Sequence, residues 1–500
     1  MGLRQTGSRF HPYILLIAFI GLGMFLVWYS TVWGAGLISD TYQYAASARN
    51  FVLGNGFSLP FGNGELEPMT KYPPMYSVFL AAFELVGVSV RQGARLLNIV
   101  LFGVNILLVF LSTLKLTRSH LSSLLAALLV SISFVMVEVH SWALSEPLYI
   151  CLGLSAYLFL QKYLEEAKSI WLILASLFVS VAFLTRYVGL SLVVSIGILL
   201  LINRVDIRRR FRDVFLFGMI ALLPVTLWTL RGYLLTQTLN DRALGFYPLT
   251  VKNYVSAIDV VYGWLLPLSF VQVEEKLLLA LTAIVLIGTV LLFVRFRRTQ
   301  IAGLIKAPSP EQRILLLHIL YFLIYGLVIL ASKTWIDPDI GLSNRILSPM
   351  LVSLLILLAA GFSFLWEHFD RARSLVALFS LGLIAYYGIG TFATVRTFNE
   401  SGIGIARRGW NRSEVVRSLR SYPSYTVYTN SNSSLYLWSD RTGYSIPEFE
   451  QLKETGSDRE VLLVIFQHVP PSGRRLNELI DGLEVLAEDQ VLSIYSLSPE

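Results

Sequence analysis

Cysteine and charge are what this sequence has least of. One cysteine, Cys151, stands in 500 residues, so no intramolecular disulfide can form, and its apolar neighbours in "YICLGL" suit a buried structural thiol better than a reactive one. Disulfide scaffolds and cysteine redox chemistry are excluded. Charged residues make up 15% of the chain against 55% hydrophobic ones, and the mean hydropathy is +0.63, too apolar for a soluble protein of this length. No low-complexity tract and no repeat at a solenoid period occurs. A net charge of +7 would suggest nucleic acid for a soluble chain. Here the basic residues sit in short loops between apolar runs, where they encode orientation, and no nucleic-acid partner is expected.

What is present is a series of apolar runs of roughly 18–22 residues, each long enough to cross ~30 Å of hydrocarbon as a helix. They fall at about 12–33, 94–114, 121–138, 144–162, 169–186, 187–203, 213–234, 276–294, 314–331, 346–365 and 374–394, predicting a polytopic α-helical membrane protein of about 11 transmembrane helices. The first run follows Arg4 and Arg9 and is longer than a signal-peptide core, so an uncleaved helix is expected. With a cytoplasmic amino terminus, the inner loops hold Lys115 and Arg118, Lys162 and Lys168, "RVDIRRRFRD", "RFRRTQ" with Lys306 and Arg313, and Arg371 and Arg373. Every one of them satisfies the positive-inside rule. This parity requires a tight external hairpin at Arg186 in "FLTRYVGLS".

The opposite loops, 34–93, 235–275, 332–345 and everything after about 395, hold most of the unusual chemistry. Residues 1–395 are expected to form the membrane domain, and 396–500 a small external α/β domain. In the latter, "TVYTN", "EVLLVIFQ" and "VLSIYSL" read as strands, "SNSSLYLWSDRTG" as turn-rich, and "SGRRLNELIDGLEVLAE" has helical spacing.

In the first external loop, "DTYQYAASARNFVLGNG" reads as a short amphipathic helix with Asp40 in its first turn and Asp40, Tyr44 and Ser47 on one face. Ordinary helix-start chemistry, with Ser39 as cap and Asp40 complementing the dipole, is the simplest account of Asp40. Next, "MTKYPPMYSVFLAAFELVGVS" offers Lys71 and an apolar stretch, interrupted by Glu84, that suits the membrane interface better than a span. In "FVMVEVHSWALSEPLY", Glu138 and His140 could contribute to a divalent metal site, although two ligands do not define one. Glu146 opens the following span. Arg186 and Arg345 stand at external helix ends, where an arginine can snorkel or bind phosphate bidentately. With Lys71 they put three cations on the face where positive charge is otherwise scarce.

"SDTYQYAASARNF", "YPPMYSVFLAAF", "SEPLYICLGLSAYLFLQKYL" and "AFLTRYVGL", in this order and on these sides of the membrane, resemble the GT-C membrane glycosyltransferases, near the dolichyl-phosphate-mannose protein mannosyltransferase type. The resemblance covers residues 12–235, with "NRILSPMLVSLLILLA" matching in general layout. It implies a GT-C fold and inverting transfer of a sugar from a polyprenyl-phosphate donor to a hydroxyl of a lipid, glycan or protein acceptor, outside a plasma or inner membrane. Asp40 falls on the catalytic base of such enzymes, with Tyr44, Lys71, Tyr72, Glu146, Arg186 and Arg345 as substrate-binding residues. The aminoarabinose-transferase branch has an acidic residue and a lysine directly before the paired prolines. Here "TKYPP" places Thr70 before Lys71, and that branch's metal position does not carry over. A transporter or flippase of lipid-linked saccharides is a second reading, although polar residues gathered at one face do not suit a midplane site. An O-antigen polymerase or ligase is a third.

Overall fold

A computed structural model of the chain describes residues 11–62, 64–203, 206–237, 245–266, 309–422, 424–455, 460–469 and 476–497. The expected span 276–294, the "RFRRTQ" loop with Lys306, and Arg4 and Arg9 lie outside them. Helix α1 (Pro12–Ser30) leads into α2 (Ser39–Val52), an antiparallel hairpin β1 (Ser58–Phe61) and β2 (Glu65–Pro68), and the short apolar helix α3 (Met75–Leu85). There follow α4 (Val90–Thr117), α5 (His120–Ser131), α6 (Phe134–Ser141), α7 (Glu146–Glu166), α8 (Ser169–Phe183), α9 (Leu190–Ile202), α10 (Ile207–Thr236) and α11 (Val251–Gly263). The remaining long helices are α12 (Pro310–Trp335), α13 (Asn344–His368) and α14 (Arg373–Ser401).

Among the described residues six helices are long and apolar enough to cross a membrane, or seven if α5 and α6, bent by 53° at Ile132 and Ser133, form one span. The chain is a multi-pass membrane protein. The expected figure of about 11 also drew on α7, on the short apolar segments 169–183 and 187–202, and on 276–294; six or seven is what length and composition establish here. The hairpin at Arg186 is present: α8 ends at Phe183 and a single 3-10 turn, Tyr187–Gly189, starts the next segment. Gly189 permits this close return, because a Cβ there would stand 2.5 Å from the Phe183 Cα.

One end of the bundle gathers the basic loops. Lys115 pairs with Glu165 at 3.3 Å, Arg118 pairs with Glu311, and Arg209 donates to the Ala167 carbonyl. Helix α4 runs from that end to the other, where α2, the hairpin and the C-terminal segment lie.

The C-terminal segment contains β3 (Thr426–Thr429), α15 (Asn432–Ser439), α16 (Ile446–Thr455), β4 (Val461–Phe466), β5 (Glu484–Glu488) and β6 (Leu492–Leu497). The sheet order is β3-β4-β6-β5, with β3 parallel to β4 and the other pairs antiparallel. All three predicted strands are present. Two stretches differ from expectation. "SNSSLYLWS" is helical, because the Ser431 hydroxyl caps it by accepting from the Ser434 amide and Asp440, at φ 61°, ends it. "LEVLAE" is mostly strand, since Gly482 at φ +77° breaks the helix and β5 pairs along β6. Strand β4 alternates between two cores: Leu462, Val464 and Phe466 join the core of the helical bundle, while Val461, Leu463 and Ile465 pack with Phe449 of α16. The sheet is therefore continuous with the bundle on one face.

Candidate active site

The site begins with the chain entering α2. Backbone bridges lay Gly36 beside Trp142: the Gly36 amide donates to the Ser141 carbonyl at 2.8 Å and the Ala143 amide to the Gly36 carbonyl at 2.9 Å. Asp40 lies four residues beyond Gly36, and Glu146 four beyond Trp142, so one ribbon sets both carboxylates. The cap of α2 is Ile38 rather than Ser39: Thr41 Oγ1 accepts from the Ile38 amide at 3.1 Å and donates to the Ala143 carbonyl at 3.2 Å. Asp40 takes no part in that capping.

Its carboxylate is engaged from two sides. Tyr72 donates its hydroxyl to Asp40 Oδ1 at 2.9 Å, and Arg345, in the first turn of α13, stands 3.3 Å from Oδ2. The same guanidinium reaches Glu146 Oε1 at 3.4 Å, and Arg186 reaches that oxygen at 2.7 Å. Arg186 also donates to Ser145 Oγ at 3.1 Å, which lies 3.2 Å from the Tyr44 hydroxyl. Burial pushes the Tyr44 phenol well above its usual range, so it stays neutral and serves as a hydrogen-bonding group.

Asp40, Tyr44, Tyr72, Arg186 and Arg345 face a cavity of about 590 Å³. Asp40, Tyr44, Lys71, Tyr72, Arg186 and Arg345 line one part, with Asp337 and Asp339 beyond them. Phe183, Val188, Leu190, Val225, Val328 and Ile329, from α8–α10 and α12, form an apolar wall. Glu146, expected among the substrate-binding residues, is 1% exposed and lies behind the two arginines, outside the cavity lining. Lys71 sits 5.7 Å from the Tyr72 ring centroid. Three cations, Arg186, Arg345 and Lys71, stand with Asp40 and Glu146 at this end of the cavity, and Asp337 and Asp339 add two more carboxylates to its lining. The cluster of three cations beside an apolar wall suits an anionic head on a hydrophobic tail.

Glu138 and His140 do not join this site. The His140 ring is buried, with Nδ1 2.7 Å from the Met136 carbonyl and Nε2 3.0 Å from Asn105 Nδ2, so both nitrogens are engaged. Among the described residues no three His, Cys, Asp or Glu side chains group as metal ligands. Sequence reasoning missed Ser145, which links Tyr44 to Arg186. Its signal was its place directly before Glu146 in "LSEPLY".

Residues 71–228 match the profile of the family described as dolichyl-phosphate-mannose-protein mannosyltransferase, a stretch containing Lys71, Glu146 and Arg186 but neither Asp40 nor Arg345. An uncharacterized protein of Aquifex aeolicus is 29% identical over 174 residues, 35% of this chain and 32% of the relative, so the match spans about a third of that relative's length. ArnT from Cupriavidus metallidurans in the apo state is 13% identical, covering 97% of this chain and 99% of that one, with a TM-score of 0.53. The Archaeoglobus fulgidus oligosaccharyltransferase in complex with Zn and sulfate is 12% identical over 96% of this chain and 72% of that one, at TM-score 0.53. The arabinofuranosyltransferase AftD from Mycobacteria reaches TM-score 0.55 at 14% identity, covering 97% of this chain and 41% of that one. The chain has the GT-C fold of the membrane glycosyltransferases.

Proposed function

We propose that the protein is a glycosyltransferase that moves a sugar from a polyprenyl-phosphate donor to an acceptor hydroxyl, by a single inverting displacement on the extracytoplasmic side of a cell membrane. The observation that carries this reading is a carboxylate, Asp40, opening into a cavity that pairs three cations with an apolar wall. A solved complex of ArnT from Cupriavidus metallidurans with undecaprenyl phosphate supports the donor class.

In the reaction Asp40 takes the proton of the acceptor hydroxyl as its oxygen attacks the anomeric carbon. The bond from that carbon to the phosphate oxygen breaks, and its electron pair leaves with the lipid phosphate. Lys71, Arg186 and Arg345 stabilise the charge gathering there. A phosphate between Lys71 and Arg345 competes with Asp40 for the Arg345 guanidinium, so donor arrival frees the base. Lipid, glycan and protein acceptors all present the required hydroxyl.

Asp337 and Asp339 are the carboxylates of the cavity lining that would hold a divalent metal. Asp40 is taken up by Tyr72 and Arg345 and Glu146 by two arginines, so no step is routed through a metal. Transfer is expected to persist on chelation, and complete loss restored by one divalent ion would contradict this assignment.

Lys71→Ala is expected to weaken undecaprenyl phosphate binding by roughly tenfold or more, the worth of one charge-assisted contact, with smaller change in acceptor use. Titration of purified protein checks this, and unchanged affinity removes Lys71 from the phosphate site. Orientation is checked by reporter fusions, which should place the amino terminus and the loop before α10 in the cytoplasm and the segment after Arg396 outside. The function itself is tested by mass spectrometry of glycolipids and glycoproteins from a deletion strain, in which one glycan substituent should disappear.

A further inference from the structure

The ribbon that sets Asp40 has a third member. Gly404–Ile405, just after α14, runs beside Leu37 and against the Trp142 ring, with the Ile405 amide donating to the Leu37 carbonyl at 3.0 Å. Gly404 has φ +56°, and a Cβ there would collide with the Leu37 carbonyl oxygen, so only glycine allows the approach. The C-terminal layer holds this segment, through Trp438 Nε1 donating to the Ile405 carbonyl at 3.2 Å.

The same layer also grips the first loop elsewhere. Tyr436 meets Tyr42 of α2 edge to face at 5.1 Å, and Asp440 pairs with Arg49 of α2 at 2.9 Å. Arg91, at the start of α4, lies 4.2 Å from the Trp438 ring centroid. Thr442 Oγ1 donates to the Gly62 carbonyl in the β1–β2 turn at 3.0 Å. Each exposed ion pair contributes little by itself. Together these contacts tie α2, the ribbon before it, the β1–β2 turn and the start of α4 to the C-terminal layer.

We propose that the C-terminal layer is a positioning element for Asp40, acting through Gly404–Ile405 on the entry to α2, through Arg49 on its flank and through Arg91 of the neighbouring α4. The C-terminal residues touch no reacting atom. They hold the carboxylate at the distance from Arg345 and Tyr72 that the transfer reaction needs, where an ångström of misplacement costs turnover steeply. This rests on the transferase reading where turnover is the readout. It stands apart from that reading where the motion of α2 is.

Two variants test it in the full chain. Gly404→Ala displaces the third strand of the ribbon, and Arg49→Ala/Arg91→Ala removes the two basic contacts to the layer while leaving the Tyr42–Tyr436 contact and every C-terminal residue intact. In both, amide hydrogen exchange across residues 39–52 should quicken. Turnover should fall by roughly 10- to 100-fold, while undecaprenyl phosphate affinity stays within about twofold, because the cations of the cavity are untouched. Arg49→Lys/Arg91→Lys keeps the charges and should restore most of the loss. If Gly404→Ala does not fold, the double variant carries the test. Wild-type exchange in α2 in the folded variants overturns the proposal, whether or not the wild type transfers sugar; wild-type turnover in them overturns it as well. Quickened exchange in a protein whose wild type transfers no sugar supports the positioning contact and counts against the transferase reading alone.

Discussion

Asp40→Asn is expected to lower turnover by on the order of 100-fold or more, with folding and donor binding retained. The substitution keeps the size and hydrogen-bonding shape of the side chain and removes only its charge and basicity. If Asp40 served the helix alone, the change would cost at most about 1 kcal/mol through the dipole, since Ile38 and Thr41 already provide the cap. Arg345 keeps Glu146 as a partner in the variant, so the arginine is not stranded. Initial rates at saturating donor, alongside undecaprenyl phosphate titration, separate the two accounts. A normally active Asp40→Asn protein would remove the carboxylate from the mechanism.

Arg186→Ala is expected to have the second large effect, on stability and donor binding together. Glu146 is 1% exposed and Arg186 16%, so the pair is shielded from water. Removing one member of such a pair costs about 3–5 kcal/mol, because the remaining charge stays buried; Arg345 at 3.4 Å offsets part of this. The double variant Glu146→Gln/Arg186→Met leaves no buried charge at either position. It should recover thermal stability but not undecaprenyl phosphate affinity, which depends on the guanidinium. Full stability in Arg186→Ala, measured by thermal unfolding in detergent, would show that the buried pair does not hold this end of the bundle. Recovered donor affinity in the double variant would show that Arg186 does not bind phosphate.

Asp40, Lys71, Arg186 and Arg345 were legible in the sequence because ionisable groups at the ends of apolar runs are costly without a purpose. Asp40 and Arg345 stand in the first turns of their helices, Arg186 at a helix break and Lys71 in the loop before α3, and the fold brings all four to one cavity. Glu146 was legible as a candidate but not in its position, since nothing local says that it lies behind two arginines and outside the cavity lining. His140 was misleading for a related reason: its partner Asn105 is 35 residues away, and a satisfied core histidine has the same sequence signature as a ligand. The ribbon joining Gly36, Trp142 and Gly404 was invisible, because it is made of backbone groups more than 100 residues apart. In the C-terminal layer the β-rich runs read correctly. "SNSSLYLWS" misled through its serines, which favour turns and helix caps alike, and only the cap forms.

The central claim is that the bond between sugar and lipid phosphate is broken and re-formed, with inversion, in the Asp40 cavity. The measurement that tests it most directly is time-resolved conversion of short-chain polyprenyl-phosphate sugars by the purified protein in detergent, with an acceptor extract present. Free polyprenyl phosphate and the anomeric configuration of the product are followed by mass spectrometry and NMR. The account predicts that polyprenyl phosphate and glycosylated acceptor appear together, that the product has the anomeric configuration opposite to the donor's, and that both signals are lost in Asp40→Asn. Donor recovered intact, or a product that retains the donor's configuration, would contradict it.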